Sequence, residues 1–278
     1  MNPNDIPDWL LPEGTSRSTW QWMTSGAVAD SHDRGLLGSP MEALELRLLR
    51  DVFPTPRRIV DLGCGSGRLC KPLLDAGHCV VGIDLSPSML SVAAQRLGTQ
   101  PDRLQLIRGS LVSLNYLRPE TFDGALCMAS TLGMISSRSL RVRALANMSR
   151  LLTHEGTLLV HVHRFWHLLR MSGGRTRLAA SLLRSCLGQT EFFDCTSGTP
   201  DVCRFPLHLY SAGELKRDCA AAGLVISSWT AVGPVDMSVE SLQRYAFRSP
   251  SKSRTAIWQP IVGWIVECRR SSRSISSF

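Results

Sequence analysis

Two carboxylates and a run of alternating glycines carry the clearest chemical potential in this sequence. In Ile59-Val60-Asp61-Leu62-Gly63-Cys64-Gly65-Ser66-Gly67-Arg68-Leu69 an acid is followed by three glycines spaced one residue apart. Apolar Ile59, Val60 and Leu62 read as the end of a buried strand, and the glycines let the backbone turn sharply and approach a ligand with no Cβ in the way. A helix is expected to follow through Leu69, Leu73 and Leu74, with its free N–H groups turned toward that ligand. This arrangement suits a nucleotide-like cofactor. The dinucleotide fingerprint needs a glycine where Arg68 stands, and a Walker loop needs a Lys-Ser/Thr pair that the segment lacks.

The second acid is Asp84. It ends the apolar run Cys79-Val80-Val81-Gly82-Ile83-Asp84, which follows the stop signal Ala76-Gly77-His78 and suits a buried parallel strand. A carboxylate at a strand's carboxyl end can accept two hydrogen bonds from vicinal ribose hydroxyls. Ser86 and Pro87 then supply an N-cap and a first-turn proline for a helix with Met89, Leu90, Ala93 and Ala94 on its apolar face. Each acid alone has a plain structural role, Asp61 as a solvated turn carboxylate and Asp84 as a helix cap. Their occurrence at successive strand ends favours cofactor binding.

The combined pattern resembles motif I and the following strand of class I S-adenosylmethionine-dependent methyltransferases of the small-molecule type. The resemblance implies that Asp61 lies near the methionine end of S-adenosylmethionine. It implies that Gly63, Cys64, Gly65 and Gly67 pack beneath ribose and methionine, and that Asp84, with Leu85 beside it, grips the ribose. Many members of the family carry an acid after the third strand for the adenine amino group. This chain has Arg108-Gly109-Ser110-Leu111 there, so adenine recognition falls to Ser110, which brings no charge, and to apolar Leu111. Met128 suits a core position and a cofactor contact equally. Strand-like segments at 104–107, 122–128 and 156–163 extend the resemblance. The expected fold is α/β, a doubly wound, seven-stranded, mostly parallel Rossmann-like sheet. Segments 224–229 and 263–268 would supply the family's antiparallel edge hairpin.

Methyl transfer from a sulfonium needs an in-line acceptor and exclusion of water, and it needs a base only when the acceptor arrives protonated. The ligand crevice of an open α/β sheet lies outside the strands' carboxyl ends, which puts residues 128–134 beside the cofactor. There Ala129 and Ser130 allow close approach, while Leu132 and Met134 could form an apolar wall. His163 ends the fifth strand on the same face as His161. His163 suits both a substrate-side and a structural role, and His161 is expected to be a hydrogen-bonded packing histidine. Ser211 and Glu214 form a capping box that opens a helix over 215–222, which sets His208 and Tyr210 just before it and on one face. Several small-molecule and tRNA-uridine methyltransferases carry such a segment over the acceptor pocket; capping of the sheet edge is the alternative. His163, His208 and Tyr210 are thus the catalytic candidates.

The whole chain must position these groups. Its 278 residues, 44% hydrophobic and 19% charged, fit an ordinary globular core. The expected layout is an N-terminal helical arm or lid over 1–50, a methyltransferase domain over 51–270 with a helical insertion at 165–205, and a disordered tail over 271–278. Trp9, Trp20 and Trp22 suit a lid over the cofactor or anchors for the arm. No apolar run reaches the roughly 18 residues of a membrane span and the start lacks a signal peptide's regions, so no membrane partner and a cytoplasmic location are expected. The nine cysteines show no metal-ligand spacing, with Cys186, Cys195 and Cys203 the loosest grouping; they are expected to be reduced and mostly buried, with no metal.

The net charge of +8 raises the question of nucleic acid. Arg138, Arg141, Arg143 and Arg150 suit the solvated face of a helix. Arg164, Arg170, Arg175, Arg177 and Arg184 suit either another solvated face or a guide for an anionic acceptor or RNA phosphates, although no aromatics alternate with them to stack bases. The expected function is methyl transfer to a small organic acceptor by direct displacement. The alternatives are a tRNA nucleoside methyltransferase of the wobble-uridine type and a non-catalytic cofactor-binding partner protein.

Overall fold

The computed structural model describes residues 6–31, 33, 36–170, 173–186, 194–197, 204–233 and 261–271. The apolar runs ending at Asp61 and Asp84 form β1 (Arg58–Leu62) and β2 (Cys79–Asp84), almost wholly buried as central parallel strands are. Next come β3 (Leu104–Arg108), β4 (Phe122–Cys127) and β5 (Leu152–His163). β6 (Asp194–Ser197) and β7 (Phe205–His208) pair with each other in a separate antiparallel ribbon, and β8 (Leu224–Val232) and β9 (Gly263–Arg270) finish the main sheet. That sheet has seven strands in the order β3-β2-β1-β4-β5-β9-β8. β1 to β5 are parallel, while β9 runs antiparallel to both β5 and β8.

Helices α1 (Arg17–Thr24), α2 (Gly26–Ser31) and α3 (Pro40–Val52) precede the sheet. They are followed by α4 (Cys70–Asp75), α5 (Pro87–Leu97), α6 (Arg138–Leu151), α7 (Gly174–Cys186) and α8 (Ala212–Ala221). α5 begins as its Ser-Pro pair dictates, with the Ser86 hydroxyl accepting the Met89 N–H at 3.1 Å. Strand alternation divides the core in two. Ile59, Val80, Leu126 and Leu159 pack against α3, α4 and α5, while their neighbours Val60, Val81, Ala125 and Val160 join α6 and α8 on the other face. Each fully buried aliphatic side chain contributes about 1.5–3 kcal/mol.

Three expectations change. No helix joins β3 to β4; residues 109–121 run as turns around buried Leu114, and Arg150 of α6 donates to the carbonyls of Leu114 at 2.7 Å and Leu117 at 3.0 Å. A guanidinium there satisfies carbonyls that helical N–H groups would otherwise serve. The α6 arginines form a solvated face only in part: Arg138 and Arg143 are exposed, pairing with buried Asp218 and exposed Glu13, whereas Arg141 is buried. The insertion is not wholly helical, since it also supplies β6. Arg164, just after β5, is buried beside the Trp264 ring, and Arg175 of the insertion is exposed, whereas the side chains of Arg170, Arg177 and Arg184 lie outside the described residues.

Cys64, Cys70, Cys127, Cys219 and Cys268 are free and buried, and Cys79 and Cys186 are free and exposed. The side chains of Cys195 and Cys203 and residues 272–278 of the tail lie outside the described residues. Among the described residues no helix is long and apolar enough to cross a membrane, and no His/Cys/Asp/Glu group has the arrangement of a metal site.

Candidate active site

Beyond β1 the chain reverses tightly, with the N–H groups of Gly63 and Cys64 both donating to the Ile83 carbonyl, at 2.7 and 3.0 Å. The turn needs its glycines for different reasons. Gly63 has φ +84°, and a Cβ there would lie 2.5 Å from Thr131 Cγ2; Gly67 has φ +74°, and its Cβ would lie 2.8 Å from Leu97 Cδ1 of α5. Gly63 keeps a cleft wall flat, whereas Gly67 lets the turn settle against a helix. Gly65 donates its N–H to Asp84 Oδ2 at 2.8 Å, and Ser86 donates to Oδ1 at 2.8 Å. Asp84 thereby ties the glycine turn to the start of α5, and a carboxylate oxygen can accept further hydrogen bonds beside these.

A cavity of about 60 Å³ opens here, walled by Gly63, Asp84, Leu85, Ser110, Leu111 and Thr131. Its roof is the N-terminal segment, with Glu13, Gly14, Thr15, Thr19 and Met23. The roof is fastened on both sides. Ser136 donates its N–H to Gly14 O, and the Ser86 and Ser88 hydroxyls donate to Met23 O and Thr24 O. Trp20 is buried with the Arg108 guanidinium 5.9 Å from its ring centroid, Trp22 packs on Phe205 of β7 at 4.6 Å between ring centroids, and Trp9 is exposed. A larger hollow of about 620 Å³, lined by Arg57, Cys79 and Arg103, lies at the amino ends of β1 to β3. It is at the wrong end of the sheet, because ligands of open α/β folds bind at the carboxyl ends.

The other residues expected near the cofactor border the cleft at its edge, sit deeper or turn away. The Ser110 hydroxyl borders the cleft and accepts the Val112 N–H at 3.3 Å. The Cys64 side chain packs toward Gly82 in the core, and Met128 is core on the same face. Asp61 is almost wholly buried, and its Oδ2 accepts the Cys70 thiol at 3.4 Å. Burial pushes its carboxyl up to about 7, aided by the nearby Asp84 and Glu45 charges and opposed by the Cys70 thiol and Arg68. Beneath the turn Arg68 binds Glu45 of α3 at 2.6 Å with both side chains buried, and the Ser66 hydroxyl bonds Asp33, which also pairs with Arg96. These two clusters were missed by reading motifs. The available signal was Glu45 inside the apolar stripe of Leu44, Leu48 and Leu49.

In the turn after β4, Ala129 and Ser130 have φ +51° and +60°. Consecutive non-glycine residues in this region cost on the order of 1–3 kcal/mol each, a strain that collects at functional sites. The Ser130 hydroxyl accepts the His163 N–H at 3.2 Å, which clips the turn after β4 to the end of β5. His161 and His163 share a face with their ring centroids 5.1 Å apart. The hydrogen bond expected for His161 is missing: neither ring nitrogen has a partner among the described residues, and burial holds its pKa well below the usual value. Burial, with a smaller contribution from His167, pushes His163 down to about 4. Both imidazoles are neutral at pH 7.

His208 is bound on both nitrogens, Nδ1 2.8 Å from Asp194 Oδ1 and Nε2 3.0 Å from Glu214 Oε1. Burial alone would lower its pKa, but the hydrogen bonds to Asp194 and Glu214 outweigh it and raise the value. Half of the expected capping box therefore forms. Ser211 Oγ accepts the Glu214 N–H at 3.2 Å, while the Glu214 carboxylate goes to His208 instead of back to the cap. Tyr210 is fully buried edge-on to His208, and its hydroxyl has no partner among the described residues. Its backbone N–H donates to His163 O at 2.9 Å. None of the three catalytic candidates, His163, His208 and Tyr210, lines the cavity.

A seven-stranded sheet of this order, with the glycine turn and both acids at its carboxyl edge, has the Rossmann-like fold of class I S-adenosylmethionine-dependent methyltransferases. Residues 59–156 match the family model described as a methyltransferase domain. The 18S rRNA (guanine-N(7))-methyltransferase of Schizosaccharomyces pombe is 43% identical over 75 residues, 27% of this chain and 27% of the relative. The chain spans about a quarter to under half of the length of the curated relatives it matches. Two solved structures share the fold. A methyltransferase from Methanosarcina mazei aligns with TM-score 0.62 at 18% identity, covering 81% of this chain and 98% of that one. The 1,6-didemethyltoxoflavin-N1-methyltransferase of Burkholderia thailandensis, bound to 1,6-didemethyltoxoflavin and S-adenosylhomocysteine, aligns with TM-score 0.54 at 16% identity, covering 94% and 93%.

Proposed function

We propose that this chain transfers the methyl group of S-adenosylmethionine to a small organic acceptor by direct displacement, as a cytoplasmic enzyme. The observation that carries the reading is the roof: residues 13–23 cover the cleft walled by Gly63 and Asp84, on the side from which a nucleic-acid strand would have to approach. The cleft walls fit the cofactor. Asp84 offers a carboxylate at the ribose position, Gly63 leaves the wall bare, and Leu85, Leu111 and Ser110 border the base position. Ligand pockets usually measure about 300 Å³ or more, so the roof must lift from its position here to admit the cofactor and close on it further out.

In this reading the cofactor supplies an activated methyl group, and the chain positions the acceptor and excludes water. Ser130 fixes the end of β5, and His163 faces the acceptor as a neutral imidazole. A pKa of about 4 makes it a weak base, which suits an acceptor that needs orientation more than deprotonation. His208 and Tyr210 act as supports that hold the insertion against β5. Tritiated S-adenosylmethionine incubated with the enzyme and separated metabolite and RNA fractions of a cell extract tests the reading. Label in small molecules supports it; label in RNA replaces it with the nucleic-acid enzyme, and no transfer despite cofactor binding leaves a binding protein.

A further inference from the structure

Asp61 is the buried acid of the donor site with the poorest electrostatic provision. It is 2% exposed, and its described side-chain partner is the Cys70 thiol at 3.4 Å, a weak donor. The charged and titratable groups around it are Cys70 on α4, Cys64 and Arg68 on the glycine turn, Asp84 on β2, Cys127 on β4 and Glu45 on α3. Arg68 is the cation of this set, and Glu45 holds its guanidinium at 2.6 Å. Asp84, in contrast, receives two backbone N–H groups at 2.8 Å. A buried carboxyl with only a thiol donor and other carboxylates nearby favours its neutral form until a cation reaches it.

We propose that, below neutral pH, capture of the cofactor expels one proton from Asp61, which is protonated there before the cofactor enters and ionises against the cofactor's ammonium group, with the Arg68–Glu45 pair setting how readily it does so. The proposal rests on the cofactor reading given above. The balance is simple: the Asp61 O–H bond breaks, the proton leaves to solvent, the carboxylate keeps the electron pair, and no bond of the cofactor changes. Burial supports the starting state, since it lifts the Asp61 carboxyl toward neutrality. Arg68 and Glu45 should act in opposite directions. Arg68 favours the ionised form of Asp61, and Glu45 opposes it both by its own charge and by engaging Arg68.

Calorimetric titration of the full chain with S-adenosylhomocysteine, from pH 5.5 to 7.5 in buffers of low and high ionisation enthalpy, tests this. Affinity should rise about tenfold per pH unit below the inflection and then level off, with release of about one proton at the acid end and none on the plateau. Asp61→Asn should bind more weakly with no pH dependence, which separates Asp61 from His208 as the titrating group. Glu45→Gln, which keeps a hydrogen-bond partner for Arg68, should move the inflection down, and adding Arg68→Met to it should move the inflection up again. A merely structural pair would weaken binding in both variants without this reversal. Affinity flat with pH and heats independent of buffer overturn the proposal while leaving the cofactor reading intact. Failure to bind at any pH overturns both.

Discussion

The two halves of the site bury their polar groups in opposite ways. Around the glycine turn, Asp61 has a thiol for a partner and Asp84 borders a cleft, so both keep chemistry to offer a ligand. Around β7, His208 has a carboxylate on each nitrogen and Tyr210 is sealed beneath Arg141. The donor half is built to be completed from outside, and the insertion is complete in itself. A buried histidine or tyrosine is thus weak evidence for catalysis until its partners are known, whereas an acid short of partners at a strand's carboxyl end is strong evidence for a ligand.

The largest effect should come from breaking the saturated side. His208→Ala strands Asp194 and Glu214 and is expected to cost about 3 kcal/mol of stability, read by urea unfolding, with affinity for S-adenosylhomocysteine changed less than about twofold. Loss of cofactor affinity at unchanged stability would erase the contrast between the halves. Asp84→Ala should do the reverse, weakening S-adenosylhomocysteine about a hundredfold through lost charge-assisted hydrogen bonds while costing only about 1 kcal/mol of stability. Gly63→Ala should weaken binding about tenfold, since it sets a Cβ against Thr131 at an unfavourable φ that itself costs about 1–2 kcal/mol. Thr131→Ala in the same chain should recover part of the loss, because it restores the space and leaves the φ penalty.

Smaller effects sharpen the comparison further. His163→Ala is expected to slow turnover while changing cofactor affinity less than about threefold, and kinetics equal to the unaltered enzyme would remove it from the acceptor side. The stability due to His208 should depend on pH in one direction. Its folded pKa is raised, so the contribution is fully present below the unfolded value near 6.5 and is lost as pH rises through the folded value. Unfolding free energies measured across that window should show this slope in the native chain and lose it in His208→Ala.

The strands, glycine turn and helix cap around Asp61 and Asp84 were legible because their signals are local. Strand, glycine turn, acid and Ser-Pro cap follow one another within about 30 residues, and each constrains its neighbours through backbone geometry alone. The acceptor half depends on contacts between distant segments. Ser211 and Glu214 have capping-box spacing, yet the Glu214 carboxylate prefers His208 because a buried imidazole needs it more than an N-cap amide does. Of the α6 arginines, Arg138 and Arg143 do face solvent, as charge on a helix normally does, but nothing local announces that Arg141 is buried or that Asp218 pairs with Arg138. Glu45 and Asp33, too, reach the glycine turn from more than 20 residues away.

One contact joins the halves. Trp22 belongs to the roof of the donor cleft and lies on Phe205, the first residue of the strand that ends in His208. Under the function proposed above, a roof that lifts to load the donor would draw Trp22 away from Phe205, and the wall beside β7 would be complete only once the roof had closed on the donor. Turnover on such a scaffold would run in compulsory order, donor before acceptor, and methylated product would depart before the spent donor. Steady-state kinetics would report it as competition between S-adenosylhomocysteine and S-adenosylmethionine alone.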